Sequence, residues 1–239
     1  MLDMTGRRQL TVAIMQPYFL PYAGYFRLFA ASDLFVIYDC VQFPRRGWVH
    51  RNRLADQRGV ERWLTLPLEK APQAVLIRDL RFPPDAARLL AERLNPFRLA
   101  GGNRDVQEIV AAVRDAQGSP LDYLERLLER VAAYLRLPWT VTRSSALGVP
   151  ETMRGQQRIV EIARRLGATR YVNAPGGADL YDVDAFADAG IELRFLDRYP
   201  GPSSSILTRM MEEPREDLAR DIRAATRYMP KASRQLEWN

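Results

Sequence analysis

Leu10-Thr11-Val12-Ala13-Ile14-Met15-Gln16-Pro17-Tyr18-Phe19-Leu20-Pro21-Tyr22-Ala23-Gly24-Tyr25-Phe26, followed by Leu34-Phe35-Val36-Ile37-Tyr38-Asp39, is the stretch whose reading decides the fold. Residues 10–16 form a short apolar run with β-branched members and read as a buried strand. Pro17 and Pro21 turn the chain, and Tyr22 to Ala31 then reads as a helix. Leu34 to Tyr38 is a second apolar strand. A strand, a helix and a strand in so short a span make a βαβ crossover, which implies parallel strands covered by helices.

The same alternation continues outward. Residues 62–68 read as a strand, and Ala74 to Leu80 as a further one. Pro83 to Leu137 is helical, with breaks at Pro96, Gly101-Gly102 and Gly118-Ser119-Pro120. Ser119 before Pro120 is an N-cap followed by a first-turn proline. Leu121, Leu124, Leu128, Val131 and Leu135 then form one apolar stripe. Residues 139–144 read as a strand, and Gln156 to Leu166 as a helix capped by Gly167. Arg170 to Asn173 is a strand, a short helix spans Val183–Ala189, Glu192 to Leu196 is a strand, and loop plus helix close the chain. No repeat, low-complexity tract or linker interrupts it. The expected fold is α/β: one doubly wound domain over 1–239, with a mostly parallel sheet in a nucleotidyltransferase- or Rossmann-like layout and a helical excursion near 83–137.

Composition narrows the chemistry. The chain has 239 residues, 47% of them hydrophobic, enough for a sizeable core. Its single histidine, His50, and single cysteine, Cys40, exclude an intrachain disulfide and a zinc site built from Cys and His ligands. A Ser-His-Asp or Cys-His arrangement would have to use His50. Carboxylate-bound magnesium stays open, but no metal site or cofactor is predicted. No apolar run approaches a membrane span, and Met1 to Arg8 lacks the apolar core of a signal peptide, so a cytoplasmic location is expected. The net charge of +6 and the sequence pI near 9.7 favour phosphate-bearing partners. With Lys70 and Lys231 the only lysines, arginine-rich usage explains part of that charge.

Five segments could carry chemistry. The first, Met15 to Phe26, follows the first strand and opens the first helix, where parallel sheets bind ligands. Prolines in turns and aromatics in a core account for much of it, but not for Gln16, Tyr18, Tyr22 and Tyr25. The second, Asp39 to Arg53, gathers four arginines (Arg45, Arg46, Arg51, Arg53) with Gln42, Asn52 and Trp48. Arginine forks suit phosphate, and the indole offers a stacking face. His50 among those arginines is expected to have a depressed pKa, and Cys40 reads as a small buried thiol. The third is Ser144-Ser145 after a strand, a phosphate contact or an ordinary cap. The fourth, Tyr171-Val172-Asn173-Ala174-Pro175-Gly176-Gly177-Ala178-Asp179-Leu180-Tyr181, reads as a strand end and a flexible turn. Asn173, Gly176, Gly177 and Tyr181 could there serve substrate hydroxyls or phosphate, with a positive-φ turn as the plain alternative. The fifth, Ser203 to Met211, is a lid or a capped helix.

Met15-Gln16-Pro17-Tyr18-Phe19-Leu20-Pro21-Tyr22-Ala23-Gly24-Tyr25-Phe26, Val36-Ile37-Tyr38-Asp39, Val41-Gln42-Phe43, Arg46-Gly47-Trp48, Arg51-Asn52-Arg53, Arg158-Ile159, Leu166-Gly167-Ala168, Tyr171-Val172-Asn173, Gly176-Gly177 and Leu180-Tyr181 together resemble the WbqC-like family. The resemblance covers most of the chain. It departs at Cys40, where the family often has a second acid, and echoes the family's C-terminal segment only loosely at Ser205-Ile206-Leu207. It implies association with polysaccharide (O-antigen) or natural-product gene clusters and a suggested glycyl or other aminoacyl transfer. The layout around Tyr22-Ala23-Gly24-Tyr25 is also similar to the His-x-Gly-His site of nucleotidyltransferases. Tyrosines in place of both histidines remove the imidazoles that stabilise phosphoryl transfer.

The expected function is therefore a transferase moving an aminoacyl or acyl unit onto an amine of a sugar or other small acceptor. Its donor would be phosphate-bearing, an aminoacyl-tRNA or a nucleotide-linked substrate. Asp39, Gln16 and Tyr22 are the expected catalytic residues. Tyr18, Tyr25, Gln42, Arg46, Trp48, Arg51, Asn52, Arg53, Ser144, Asn173, Gly176, Gly177 and Tyr181 are the expected binding residues. The alternatives are a nucleotidyltransferase or nucleotide-activated ligase using ATP or CTP, and a non-catalytic nucleotide- or RNA-binding protein. The expected arrangement has Gln16, Asp39, Arg46, Trp48 and Asn173 around one hollow.

Overall fold

A computed structural model describes residues 9–230 of the chain. Met1 to Arg8, read above for a signal peptide, and Lys231 lie outside the described residues. The apolar run at the start becomes β1 (Thr11–Met15), and α1 (Ala23–Ala31) leads to β2 (Leu34–Ile37), parallel to β1 with Val12 opposite Leu34. With β5 (Val141–Arg143), β6 (Arg170–Asn173) and β7 (Glu192–Phe195) they build a five-stranded sheet in the order β5-β2-β1-β6-β7. Every pairing in it is parallel. The chain steps outward from β1 to β2 and β5, then returns to β6 on the other side of β1. The reversal makes the gap between β1 and β6 the switch point, where doubly wound sheets open a crevice at their carboxyl ends.

Side chains alternate across the sheet as the pleat requires. Ala13, Phe35, Ile37 and Val172 face one apolar cluster, shared with α1, with α4 (Pro120–Tyr134), and with the C-terminal helices α7 (Ile206–Glu212) and α8 (Arg215–Ala224). Val12, Ile14, Val36, Tyr171 and Leu193 face a second cluster under α5 (Gly155–Arg165) and α6 (Val183–Asp188). Helices thus cover both faces, the doubly wound arrangement that the sequence implies. The excursion between β2 and β5 contains α2 (Ala86–Leu94), α3 (Arg104–Arg114) and α4, broken where the prolines and glycines stand. Ser119 caps α4 by accepting from the Asp122 amide at 3.1 Å.

Three expectations need correction. The segment at 62–68 is not in the main sheet: β4 (Glu61–Thr65) pairs antiparallel with β3 (Arg51–Ala55) as a separate hairpin. The last three residues of the Arg-rich segment, Arg51 to Arg53, are therefore in a strand. Its alternation puts Asn52 and Leu54 inside and arginines outside, a pattern easily mistaken for a polar loop. Residues 74–80 form no strand, only a bridge from Leu76 to Gln42 and a 3-10 turn at Ile77–Asp79. At Gly176-Gly177 neither glycine has positive φ, since Pro175–Leu180 is a 3-10 helix.

Candidate functional site

The loop after β1 is held in an unusual path. Leu20 has φ +46, a left-handed conformation that a γ-branched residue adopts at a cost. Its carbonyl accepts from the Ser205 hydroxyl at 2.9 Å and from the Asn52 amide, which also donates to the Phe19 carbonyl at 3.0 Å. Phe19 N–H donates to the Trp48 carbonyl at 2.9 Å. The hairpin, the β1 loop and the 200s segment are thereby pinned together. Tyr18, Tyr22 and Trp48 each line two hollows.

The larger hollow, about 450 Å³, opens at the switch point. Gln16 at the tip of β1 and Asn173 at the tip of β6 supply its amides, and Tyr18, Tyr22, Tyr38, Tyr181 and Trp48 supply most of its aromatic wall. Gln16 makes no side-chain hydrogen bond to any described residue. Asn173 spends its Oδ1 on the Ala174 amide at 2.8 Å and leaves its Nδ2 without an acceptor among the described residues. The lining contains no carboxylate, arginine, lysine, histidine or cysteine. Burial pushes the hydroxyl pKa values of Tyr18, Tyr22, Tyr38 and Tyr181 upward, with the neighbouring Tyr22 adding to the effect at Tyr18. These phenols are therefore protonated at neutral pH and act as donors, not bases. A Cβ at Gly177 would lie 2.3 Å from Asn173 Nδ2, whereas a Cβ at Gly176 would meet nothing within 4 Å. The smaller hollow, about 260 Å³, shares Tyr18, Tyr22 and Trp48 with the larger and adds Asn52, Arg53 and Ser203 to its lining.

Of the five residues expected around one hollow, Gln16, Trp48 and Asn173 meet there, and Asp39 and Arg46 do not. Asp39 is fully buried and committed to the two serines that follow β5. It accepts from Ser144 Oγ at 2.8 Å, Ser145 N–H at 2.9 Å and Ser145 Oγ at 2.5 Å. Ser144 is likewise buried and clamps the tips of β2 and β5 together, lining neither hollow. Arg46 points to solvent and Gln42 donates to the Gln73 carbonyl at 2.9 Å, both away from the hollows. Tyr25 lines the larger hollow with its hydroxyl given to the Gln16 carbonyl at 2.8 Å. Asn52 lines the smaller hollow while holding the β1 loop.

His50 packs edge-on against Phe43, and its pKa is lowered to about 4 by burial first and by Arg51 second. It is neutral at physiological pH and lines neither hollow. Cys40 is buried, 2.8 Å from Ser144 Oγ and accepting from Arg158 Nε at 3.3 Å. Sequence reasoning missed two residues. Tyr38 lines the larger hollow, and its place as the residue after an apolar strand was the available signal. Trp63, on the outer face of the hairpin, had no local signal beyond its type.

A family model described as the WbqC-like protein family matches residues 16–203. A Mycobacterium tuberculosis (strain ATCC 25618 / H37Rv) protein named "Uncharacterized protein Rv1507c" is 27% identical over 191 residues, spanning 78% of this chain and 81% of its own. No solved structure matches the chain.

Proposed function

Because the chain belongs to the WbqC-like protein family, we propose that it is a transferase whose switch-point hollow takes a sugar-like acceptor and acylates or aminoacylates its amine. The observation that carries this reading is the unpaired Gln16 amide and the free Asn173 Nδ2 at neighbouring strand tips inside an aromatic, uncharged cavity. Aromatic faces suit the C–H faces of a sugar ring, and amides serve hydroxyls as both donor and acceptor. The absence of charge in the lining argues that the phosphate of a donor is not held there. The smaller hollow, which shares Tyr18, Tyr22 and Trp48 with the larger and has Arg53 in its lining, is the natural place for the donor's acyl end.

In the transfer the acceptor nitrogen attacks the donor carbonyl carbon, the amide C–N bond forms, and the donor's acyl–oxygen bond breaks. The proton lost by the nitrogen passes through water to the departing donor oxygen, which leaves as the free alcohol or phosphate. No side chain lining the larger hollow has a pKa suited to remove it, so the acceptor must react as the free amine. Gln16, Asn173, Tyr22 and Tyr38 would hold it there, with the phenols donating to the oxygen on which charge develops. Asp39 is not needed for this step.

The test is an equilibrium titration with amino sugars, paired with a transfer assay that detects the acylated amine. Gln16→Ala should weaken acceptor binding about fivefold, the effect of about 1 kcal/mol for one lost hydrogen bond, at unchanged thermal stability; Asn173→Ala should weaken it by a similar factor and also lose the bond from the Ala174 amide. The rate should rise with pH through the acceptor's own amine ionisation. Unaltered acceptor affinity in both variants would sink the reading.

A further inference from the structure

The outer face of the β3–β4 hairpin lies outside both hollows except at Arg53, which also lines the smaller one. Alternation turns Asn52, Leu54 and Leu64 inward and leaves Arg51, Arg53 and Trp63 facing out. Trp63 is 46% exposed and Trp48 38%, and their rings lie 5.4 Å apart. The Arg51 guanidinium sits 4.2 Å over the Trp63 ring and the Arg53 guanidinium 5.7 Å. Arg51 is held there by donating to the Arg46 carbonyl at 2.6 Å. Its Nε–H is buried without an acceptor, and it forms no ion pair among the described residues. Only Arg53 of these cations has a carboxylate partner, the half-exposed Glu61 at 3.4 Å.

Two indoles left partly in water beside Arg51, whose charge no described carboxylate neutralises, and Arg53, paired only with the half-exposed Glu61, call for a partner that is both flat and anionic. An acidic peptide would satisfy the arginines but leave the indoles wet. An uncharged sugar would do the reverse. We infer that this face, centred on Trp63 and Arg51, binds an unpaired nucleobase by stacking, with its phosphate held by Arg51 and Arg53. A paired base offers no free face, so duplex nucleic acid does not fit. Trp48 and Arg53 also line the smaller hollow, so a nucleotide on the platform leads directly to it. That the nucleotide is the handle of the acyl donor rests on the transferase reading; the binding does not.

The experiment is fluorescence anisotropy of a labelled single-stranded RNA of about ten nucleotides, a length matching common single-strand site sizes, with the full chain at several salt concentrations. Trp63→Ala should weaken binding about tenfold or more, the range measured for one lost base stack, while Trp63→Phe keeps most of it. Arg51→Ala should reduce the log–log salt slope by about 0.7, the single-strand value for one phosphate contact. A blunt duplex of equal length should bind more weakly. Competition by ATP would identify a mononucleotide source, and its failure to compete a polynucleotide end; either supports the inference. Wild-type affinity in Trp63→Ala, equal affinity for the duplex, or binding confined to anionic lipid vesicles would overturn it. Gln16→Ala should bind the RNA normally, so failure here and failure of the acceptor site are separable.

Discussion

Three donors converge on the Asp39 carboxylate at the tip of β2, and the outcome distinguishes a structural acceptor from a catalytic base. Asparagine keeps the shape and one acceptor oxygen, and its new amide can donate to the Ser145 hydroxyl once that hydroxyl rotates. Asp39→Asn should therefore preserve most stability and leave transfer intact, which a true base would not permit. Asp39→Ala removes every acceptor and strands the buried Ser144 hydroxyl, at a cost of about 2–4 kcal/mol in urea denaturation. The sequence placed this aspartate correctly at a strand end, and strand ends are where ligands bind. What it could not show is that Ser144, more than a hundred positions away, arrives at the same point and takes up the carboxylate.

At the scale of the element, the loop after β6 decides whether the Asn173 amide reaches the cavity. Gly-Gly reads naturally as a turn that needs positive φ, yet the chain winds there as a 3-10 helix and only one of the two glycines is crowded. Gly177→Ala should push the Asn173 amide aside and lower acceptor affinity severalfold, with little loss of stability because the obstructing atom ends a short movable side chain. Gly176→Ala should do neither. A thermal-shift series with and without acceptor checks both, and equal ligand response in the two variants would refute the role given to Gly177. The hairpin teaches the complementary lesson. Its first strand was hidden because arginines at alternate positions look like a polar loop until the partner strand shows which face is buried.

Across the whole molecule, the site depends on segments far apart in the chain. Arg27 is almost wholly buried in α1, donating to the carbonyls of Asp197 at 2.8 Å and Ala225 at 2.8 Å, and its guanidinium lies 5.3 Å over the Tyr199 ring. It fastens the returning C-terminal segment, which in turn supplies Ser205 to the Leu20 carbonyl. Arg27→Leu should leave those carbonyls without donors and cost about 3 kcal/mol in denaturant unfolding, and it should weaken acceptor binding as the loop at Leu20 relaxes. Stability equal to the parent protein would argue against this fastening. The parallel α/β architecture, the breaks in the helical excursion and the position of Gln16 and Asn173 at strand tips all follow from local patterns of burial and turn chemistry, so the amino-acid order was enough to read them. Which polar side chains remain free was settled only by folding. A buried group's availability depends on the partners that distant segments bring to it: Asp39 and Asn52 found theirs, while Gln16 and one nitrogen of Asn173 did not.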